Sequence, residues 1–517
     1  MILKKRRISP ILSSTTIGLI EEWLRICDSC HEECDRWAHK DQQTRGQAPT
    51  LPTRVIDLGT GTDPNIPPRL IMTKGAKGKY AALSYCWGDD VDTFSTTNDN
   101  INDMIEEIPR NRLPAAFVNA MEISRRLNVR YLWIDALCII QDDIEDWDAE
   151  ARKMGSVYQS AHVTIAATCS SQASQPFLPI IEDSPRQKYF DLPCEPNRPE
   201  AGTFSLVVGS RPDAKTQVKN TRLNSRGWVL QERLLSHRVL HFASDQIYWE
   251  CRREAKAEDG SAFPSQYLDK DFLFPLPGWM KKIDIESLNE YTPQKDEMFQ
   301  RAWLALLEFY ALCQFSRASD RLVALSNLVD KLRPFTKRTY VDGNWFLPGS
   351  RTLPQSLFWR PEDSCRSFDP TAPSWSWTSR VGKLDFAFHN RGYTSQVTLV
   401  SIEEEYEGSR RSLHLKGEIF TANVGKARGR SNDLLRPGSD ESKDACIGSM
   451  HLDDFHRATP DTVECLSLFD DVAEYPIYWA LRAVSEVGEL TVYERIGIAT
   501  QPRNTTCDLE SKEFLLI

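Results

Sequence analysis

The chain has 517 residues, enough for roughly two to four folding units, and 41% hydrophobic residues with 14 Trp can fill real cores. Lys and Arg total 63 against 73 Asp and Glu, and a net charge of −10 gives no electrostatic footprint for nucleic acid or an anionic membrane, which leaves a small-molecule or protein partner. The 13 scattered Cys and an N-terminus, MILKKRRISPILSS, without an apolar signal core indicate reduced thiols in a cytosolic or nuclear compartment, and no apolar run reaches the length of a membrane span, so a soluble, cytoplasmic protein is expected.

Residues 18–37 carry Leu19, Ile20, Trp23, Leu24, Cys27, Cys30, His31 and Cys34 at three-and-four spacing, which predicts one apolar helical face. A polar linker over 38–50 follows. PTRVIDL (52–58) and KYAALSYCWGDD (79–90) read as strands, the second buried and ending in Gly and acid. From Leu113 an amphipathic helix is expected, with Pro114 in its first turn, Leu113, Phe117, Met121 and Ser124 on one face and Asn119, Glu122, Arg125 and Arg126 opposite. It leads into a nearly unbroken apolar run, 131–140, read as a central buried strand interrupted by Asp135. Asp146 is then placed to cap a helix lined by Trp147, Ala151, Met154, Tyr158 and Ala161, before the strand HVTIAA (162–167).

This alternation with short joins predicts right-handed crossovers and a three-layer α/β domain with a mostly parallel sheet. Residues 170–220 are loop-like and Pro-rich. NSRGWVLQERLLSHR (224–238) reads as a capped helix, and VLHF (239–242) and QIYWEC (246–251) as strands that complete the sheet. An irregular insertion over 255–300 and a helical pair over 301–332 precede a β-rich tail containing APSWSWTS (372–379), SLHLKGEIF (412–420) and ELTVYERIGIA (489–499), split by a polar loop at 425–445. The expected division is 1–50 for the N-terminal helix and linker, 51–255 for the α/β domain, 256–345 for the insertion and helical segment, and 346–517 for a β-rich accessory domain.

VIDLGTGT (55–62) looks like the first motif of an S-adenosylmethionine methyltransferase, but Asp63 stands where a third glycine belongs and the prolines of DPNIPPRL cannot open the helix that should follow, so a Gly-rich turn is expected. Cys27-Asp28-Ser29-Cys30-His31 spells a haem-attachment string, with Cys34 as a fourth potential ligand. On one helical face these residues cannot close a zinc tetrahedron without ligands from elsewhere, so buried thiols are expected and no metal is assigned. In RGWVLQERLLSHR, Trp228, Gln231, Glu232 and Leu235 share a helical face, so Glu232 should be at least partly buried with a raised pKa, unless Arg226, Arg233 or Arg238 pairs it. GxxxxGK[ST], GxSxG and HExxH strings are absent, which removes the enzymes built on them.

YAALSYCWGDD, TTNDN (96–100), the segment from LPAAFVNAMEISRR through YLWIDALCIIQDDIEDWDAEARKMGSVYQSA, and RGWVLQERLLSHRVLHF together resemble the fungal heterokaryon incompatibility (HET) domain over about 78–255, with a motif core at 78–240. Asp135 matches the family motif, whereas Ala136 stands where the family more often has Ser. The resemblance implies a fungal intracellular protein of non-self recognition (allorecognition), akin to innate immunity, that triggers programmed cell death through a self-associating signalling domain or a protein partner.

The order of elements is more distantly similar to the Toll/interleukin receptor (TIR) fold, a flavodoxin-like sheet in which some members cleave NAD. Their catalytic Glu lies in a Trp-x-x-x-Glu-like context, which Trp228 to Glu232 resembles. By that analogy Glu232 is the catalytic candidate of an NAD glycohydrolase-like activity, with Ser84, Trp87, Gly88 and Asp135 shaping a pocket, Arg226 available for phosphate, Trp228 and Gln231 beside it, and the loop 86–98 as a cover. NAD would be substrate, and no cofactor is implied. The alternative is a non-enzymatic signalling or adaptor module.

Overall fold

A computed structural model of the protein describes residues 12–32, 34, 47–61, 63, 66–88, 94–178, 188–193, 203–208, 215–260, 262–263, 292–317, 319–361, 366–368, 372–386, 395–406, 410–428, 431–436, 446–453, 460–468, 477–500 and 509–517. Most of the linker, the centre of the loop 86–98 and most of the insertion lie outside them. The chain forms two compact units, Met1–Asn289 with Val323–Leu328, and Glu290–Leu322 with Val329–Ile517.

The first unit is built on strands β1 (Arg54–Asp57), β2 (Arg69–Met72), β3 (Tyr80–Ser84), β4 (Tyr131–Trp133) and β5 (Val163–Ala166), a separate hairpin β6 (Lys188–Pro193) and β7 (Thr203–Val208), then β8 (Arg238–Phe242), β9 (Ile247–Cys251), β10 (Ala255–Ala257) and β11 (Ala262–Phe263). Nine of them make one sheet in the order β11-β10-β9-β8-β5-β3-β4-β1-β2. Only the four central strands are parallel, joined as β4 to β3, β3 to β5 and β5 to β8. Both flanks are antiparallel: β1–β2, β8–β9 and β9–β10 are joined by links too short for a crossover, and β1 runs antiparallel to β4. The fold is thus mixed α/β, with its parallel part confined to the centre. In chain order the parallel strands lie second, first, third, fourth, so the topological switch falls between β3 and β5, where an open α/β sheet has its crevice.

Every residue of β3, β5, β8 and β9 is buried, as expected of strands covered on both faces. The covering helices are α1 (Ser14–Cys30), α2 (Ile101–Glu106), α3 (Ala115–Arg126), the single turn α4 (Asp135–Cys138), α5 (Ile144–Ala151), α6 (Met154–Ser160) and α7 (Gly227–Leu235). In α3 Pro114 stands at the N-cap, and Asn128, in the left-handed region at φ 54°, follows the last turn. Arg125, expected on the exposed face, is buried and donates to the Ile66 carbonyl.

Three local expectations are corrected. The apolar run 131–140 is not one strand: β4 stops at Trp133, and Asp135 opens a helical turn whose first amide, Ala136 N, its own Oδ1 accepts at 2.7 Å. The cap of α5 is Asp143, which accepts from Glu145 N and Asp146 N, while Asp146 pairs with Arg54 at 2.5 Å. The single helix expected after it is two, α5 and α6, broken at Arg152–Lys153. The VIDLGTGT segment forms strand β1 and a turn with Gly59 and Gly61 at positive φ. A Cβ on Gly59 would come 2.6 Å from Ile66 Cγ2, so the turn requires glycine there.

In the second unit, helices α8 (Pro293–Tyr310) and α9 (Asp320–Leu332) realise the expected helical pair, although Val323–Leu328 of α9 belongs to the first unit. The tail is β-rich: an eight-stranded sheet is organised on the 19-residue strand Arg410–Arg428, which pairs with four others. APSWSWTS is not a strand. Its Trp375 and Trp377 are fully buried, and the segment turns through a short 3-10 stretch, Trp377–Ser379, that directs the Trp377 indole to the Gly343 carbonyl at 2.9 Å.

Candidate functional site

The carboxyl ends of β3 and β4 and the helix α7 bring two acids together. Ser84 closes β3 and is buried, and the chain beyond it carries Tyr85, also buried, then Trp87 and Gly88 at a half-buried rim. Gly88 has φ +93°, and a Cβ there would meet Gln172 Cβ at 2.6 Å, so only glycine fits where this loop crosses the one after β5. From the neighbouring strand end, Asp135 Oδ2 accepts the Trp87 indole N–H at 2.7 Å. The Tyr85 ring lies stacked beside Trp87 at 6.4 Å and meets Phe117 edge-on at 5.0 Å.

Glu232 projects from α7 and is 6% exposed. Burial is the main cause that pushes its pKa up to about 7; Ser84, Arg226 and Tyr158 act against it, and the Asp135 charge adds to it. Among the described residues Oε2 has no hydrogen-bond partner. Tyr158 donates its one phenolic proton to the Leu83 carbonyl at 2.9 Å, so it can serve the Glu232 carboxylate only by leaving that bond. Asp135 is likewise raised, by burial first, with Trp87, Tyr85, the Ala136 amide and Arg226 opposing. Tyr85 and Tyr158, held well above the usual phenol range by burial and by these carboxyls, stay protonated.

Of the three arginines that could have neutralised Glu232, two are committed elsewhere. Arg233 pairs with Glu250 at 2.8 Å, and Arg238 binds Asp28. Arg226, the N-cap residue of α7, donates Nη1 to the Tyr85 carbonyl at 2.5 Å, and its charge favours the ionised form of both Asp135 and Glu232 without an ion pair among the described residues. The site therefore holds one buried acid, Glu232, and one half-buried acid, Asp135, facing one partly exposed guanidinium. It can bind an anion at Arg226, and it can hold or release a proton at Glu232 near neutral pH.

The structure gathers Ser84, Trp87, Asp135, Arg226 and Glu232 in one network, with Gly88 at its rim. It does not bring Gln231 there: this side chain is fully buried and its Oε1 accepts from Asn327 Nδ2 at 3.3 Å. Trp228 is partly buried and packs edge-on against Trp147 at 6.1 Å. Tyr85 and Tyr158 were not singled out by sequence reasoning. Tyr85 sits inside the YAALSYCWG string and Tyr158 on the expected apolar helix face, where a phenol reads as packing. Separately, Cys27, His31 and Cys34 gather with Cys251 where α1 ends against β9, so the ligand from elsewhere that the helix alone lacked is present.

A mixed α/β unit with an acid pair, one member buried and one half-buried, at the carboxyl ends of its parallel strands is the class this geometry defines. The chain carries a HET domain: the family model described as heterokaryon incompatibility protein (HET) matches residues 80–232, from the first residue of β3 to Glu232 itself. It is also similar to heterokaryon incompatibility protein 6, OR allele, of Neurospora crassa, 38% identical over 93 residues. That match covers 17% of this chain and 14% of the relative, so the chain spans only a small part of the curated relative's length. No solved structure matches the chain. No helix among the described residues is long and apolar enough to cross a membrane.

Proposed function

We propose that this protein acts in fungal non-self recognition, with residues 51–255 as a HET domain that triggers cell death in the cytoplasm through TIR-like cleavage of NAD or a related nucleotide at Glu232. The matched family and the name of the Neurospora relative support the incompatibility role. The observation that carries the chemistry is the convergence of Glu232, Asp135 and Arg226 at the strand ends, with Glu232 held near pKa 7 and no cation bonded to it among the described residues.

In this reading Arg226 binds a phosphate of the substrate and ionised Glu232 faces the ribose. The bond between ribose C1′ and the nicotinamide nitrogen breaks with its electron pair going to the ring, which leaves neutral. Glu232 stabilises the oxocarbenium-like ribose until water adds to C1′ and loses a proton. Because Glu232 is 6% exposed, substrate reaches it only if the rim at Trp87, Gly88 and Arg226 shifts, a step that self-association could drive.

The test is nicotinamide release from NAD by concentrated protein. Expected are turnover by the wild-type chain with a rate that rises with pH through about 7, the value to which Glu232 is pushed, and loss of at least about 100-fold in Glu232→Gln. Release equal in both proteins sinks the enzymatic reading. The near-complete burial of Glu232 favours a second reading, a non-enzymatic module that self-associates or binds a protein partner; toxicity undiminished by Glu232→Gln in fungal cells would establish it.

A further inference from the structure

We propose that Cys27, His31, Cys34 and Cys251 bind one zinc ion, which ties the N-terminal helix to the antiparallel flank of the sheet. The four donor atoms lie within 4.8 Å of one another and all four residues are buried. Ligand atoms around a single tetrahedral zinc with bonds of about 2.3 Å to sulfur stand about 3.8 Å apart, so the group needs only a small contraction to close on an ion. A sulfur–nitrogen edge of the same tetrahedron, with a bond of about 2.0 Å to nitrogen, is about 3.5 Å, and the Cys251 Sγ to His31 Nδ1 separation is 3.4 Å. None of these thiols is in a disulfide.

The local fold explains how three ligands from one short stretch surround a point. Cys27 lies in the last turn of α1, and the helix ends at Cys30. His31 leaves helical geometry at φ −109°, ψ 83°, while its amide still bonds the Cys27 carbonyl at 3.3 Å and its own carbonyl accepts from Cys34 N at 3.1 Å. The chain therefore curls back on itself instead of carrying the three side chains along one stripe, and Cys251, last residue of β9, supplies the fourth corner. Cys30, between the ligands in sequence, points outward and is exposed.

The surroundings suit a charged metal centre. Zinc with three thiolates and a neutral imidazole carries one net negative charge, and Arg238 Nε lies 3.2 Å from Cys27 Sγ to offset it. Glu254 N donates to Cys251 Sγ at 3.4 Å. His31 Nε2 faces Glu254 Oε1 at 3.8 Å, the kind of carboxylate that fixes the tautomer and aims Nδ1 at a metal. Thiolate and imidazole donors select zinc over hard cations, and a set closed by four buried protein ligands is structural, with no open position for substrate. Cys27, His31 and Cys34 lie upstream of the matched segment 80–232 and Cys251 downstream, so the ion would clamp together two flanks that lie outside that segment.

The experiment is metal analysis of the full chain purified without chelators, together with cobalt(II) substitution. Expected are one zinc per chain and, for cobalt, strong tetrahedral d–d bands with thiolate-to-metal charge transfer. Cys30→Ser should keep the full metal content, whereas Cys251→Ser should lose most of it. Chelation of the wild-type chain should lower its unfolding temperature by several degrees and expose three additional reactive thiols, a readout that stands even if Cys251→Ser does not fold. Substoichiometric metal in the wild-type chain, a different metal at full occupancy, a disulfide among the three cysteines, or a cobalt spectrum without charge transfer would each overturn the assignment.

Discussion

Each unit holds a buried acid, and these two acids are treated in opposite ways. In the second unit Arg495 and Asp453 are both fully buried and joined at 2.9 Å, with the guanidinium 3.6 Å above the Trp359 ring and donating to the Leu357 and Trp359 carbonyls. In the first unit Glu232 is nearly as buried, yet among the described residues no cation bonds it and one of its oxygens has no hydrogen-bond partner, and a second acid lies close by. Burial alone therefore does not mark a functional acid. A carboxylate anchored by a stacked arginine holds a core together, whereas a carboxyl left against apolar walls is costly to ionise and available for proton chemistry.

The largest effect should come from breaking the anchored pair. Arg495→Met leaves Asp453 as an unpaired buried acid and removes the bonds to two carbonyls, which costs about 3–5 kcal/mol. Denaturant unfolding followed by the fluorescence of the buried tryptophans checks it. A loss below about 1 kcal/mol would mean that the pair is dispensable and the contrast between the units false.

Glu232 should show the reverse, a stability that falls as pH rises. Its folded pKa, about 7, lies above the ordinary value of 4.5, so between these values the folded state binds more protons than the unfolded chain. The stabilisation is complete below pH 4.5 and lost as pH rises through 7, and a shift of this size corresponds to on the order of 3 kcal/mol. Glu232→Gln keeps the shape without the charge. It should match the wild-type chain near pH 5, exceed it in stability above pH 7, and flatten the slope between. An unchanged slope would mean that Glu232 is solvated or paired.

Much of the parallel centre was legible because period and burial agree there: YAALS and HVTIAA are apolar on both faces, and LPAAFVNAMEISRR alternates at helical spacing. The break after Trp133 was not, since Ile139 and Ile140 continue the apolar run and only tertiary contacts decide that Asp135 turns the chain. The antiparallel flanks escaped for a related reason. VLHF and QIYWEC read as strands, but nothing in their composition states direction. Within the site, the buried acid on α7 followed from its spacing to Trp228. Tyr158 beside it and Tyr85 beside Asp135 did not, because a phenol inside an apolar pattern looks the same whether it packs or faces a carboxyl. Cys251 was invisible as a companion of Cys27 for lack of any local spacing between them.

The smallest expected effect gives the comparison its internal control, on an acid of the first unit that is anchored. Asp57 accepts from Arg130 Nε and Nη2, each at 2.8 Å, and from Gly59 N at 3.0 Å. The Arg130 bond is the main cause that holds its carboxyl below the ordinary range, against the opposing effect of burial. A depressed folded pKa contributes stability that is present above the unfolded value and is lost as pH falls through the folded one, so the sign is opposite to that of Glu232. Arg130 is 43% exposed, and solvent screening reduces the pair to about 1 kcal/mol. Arg130→Ala should therefore cost about that much near pH 7 and progressively less below about pH 4, where Asp57 protonates in the unfolded chain. Unfolding midpoints at the two pH values measure it. If Arg130→Ala and Glu232→Gln changed the pH dependence in the same direction, anchored and unanchored acids would not be distinct in this domain, and the case for chemistry at Glu232 would lose its physical basis.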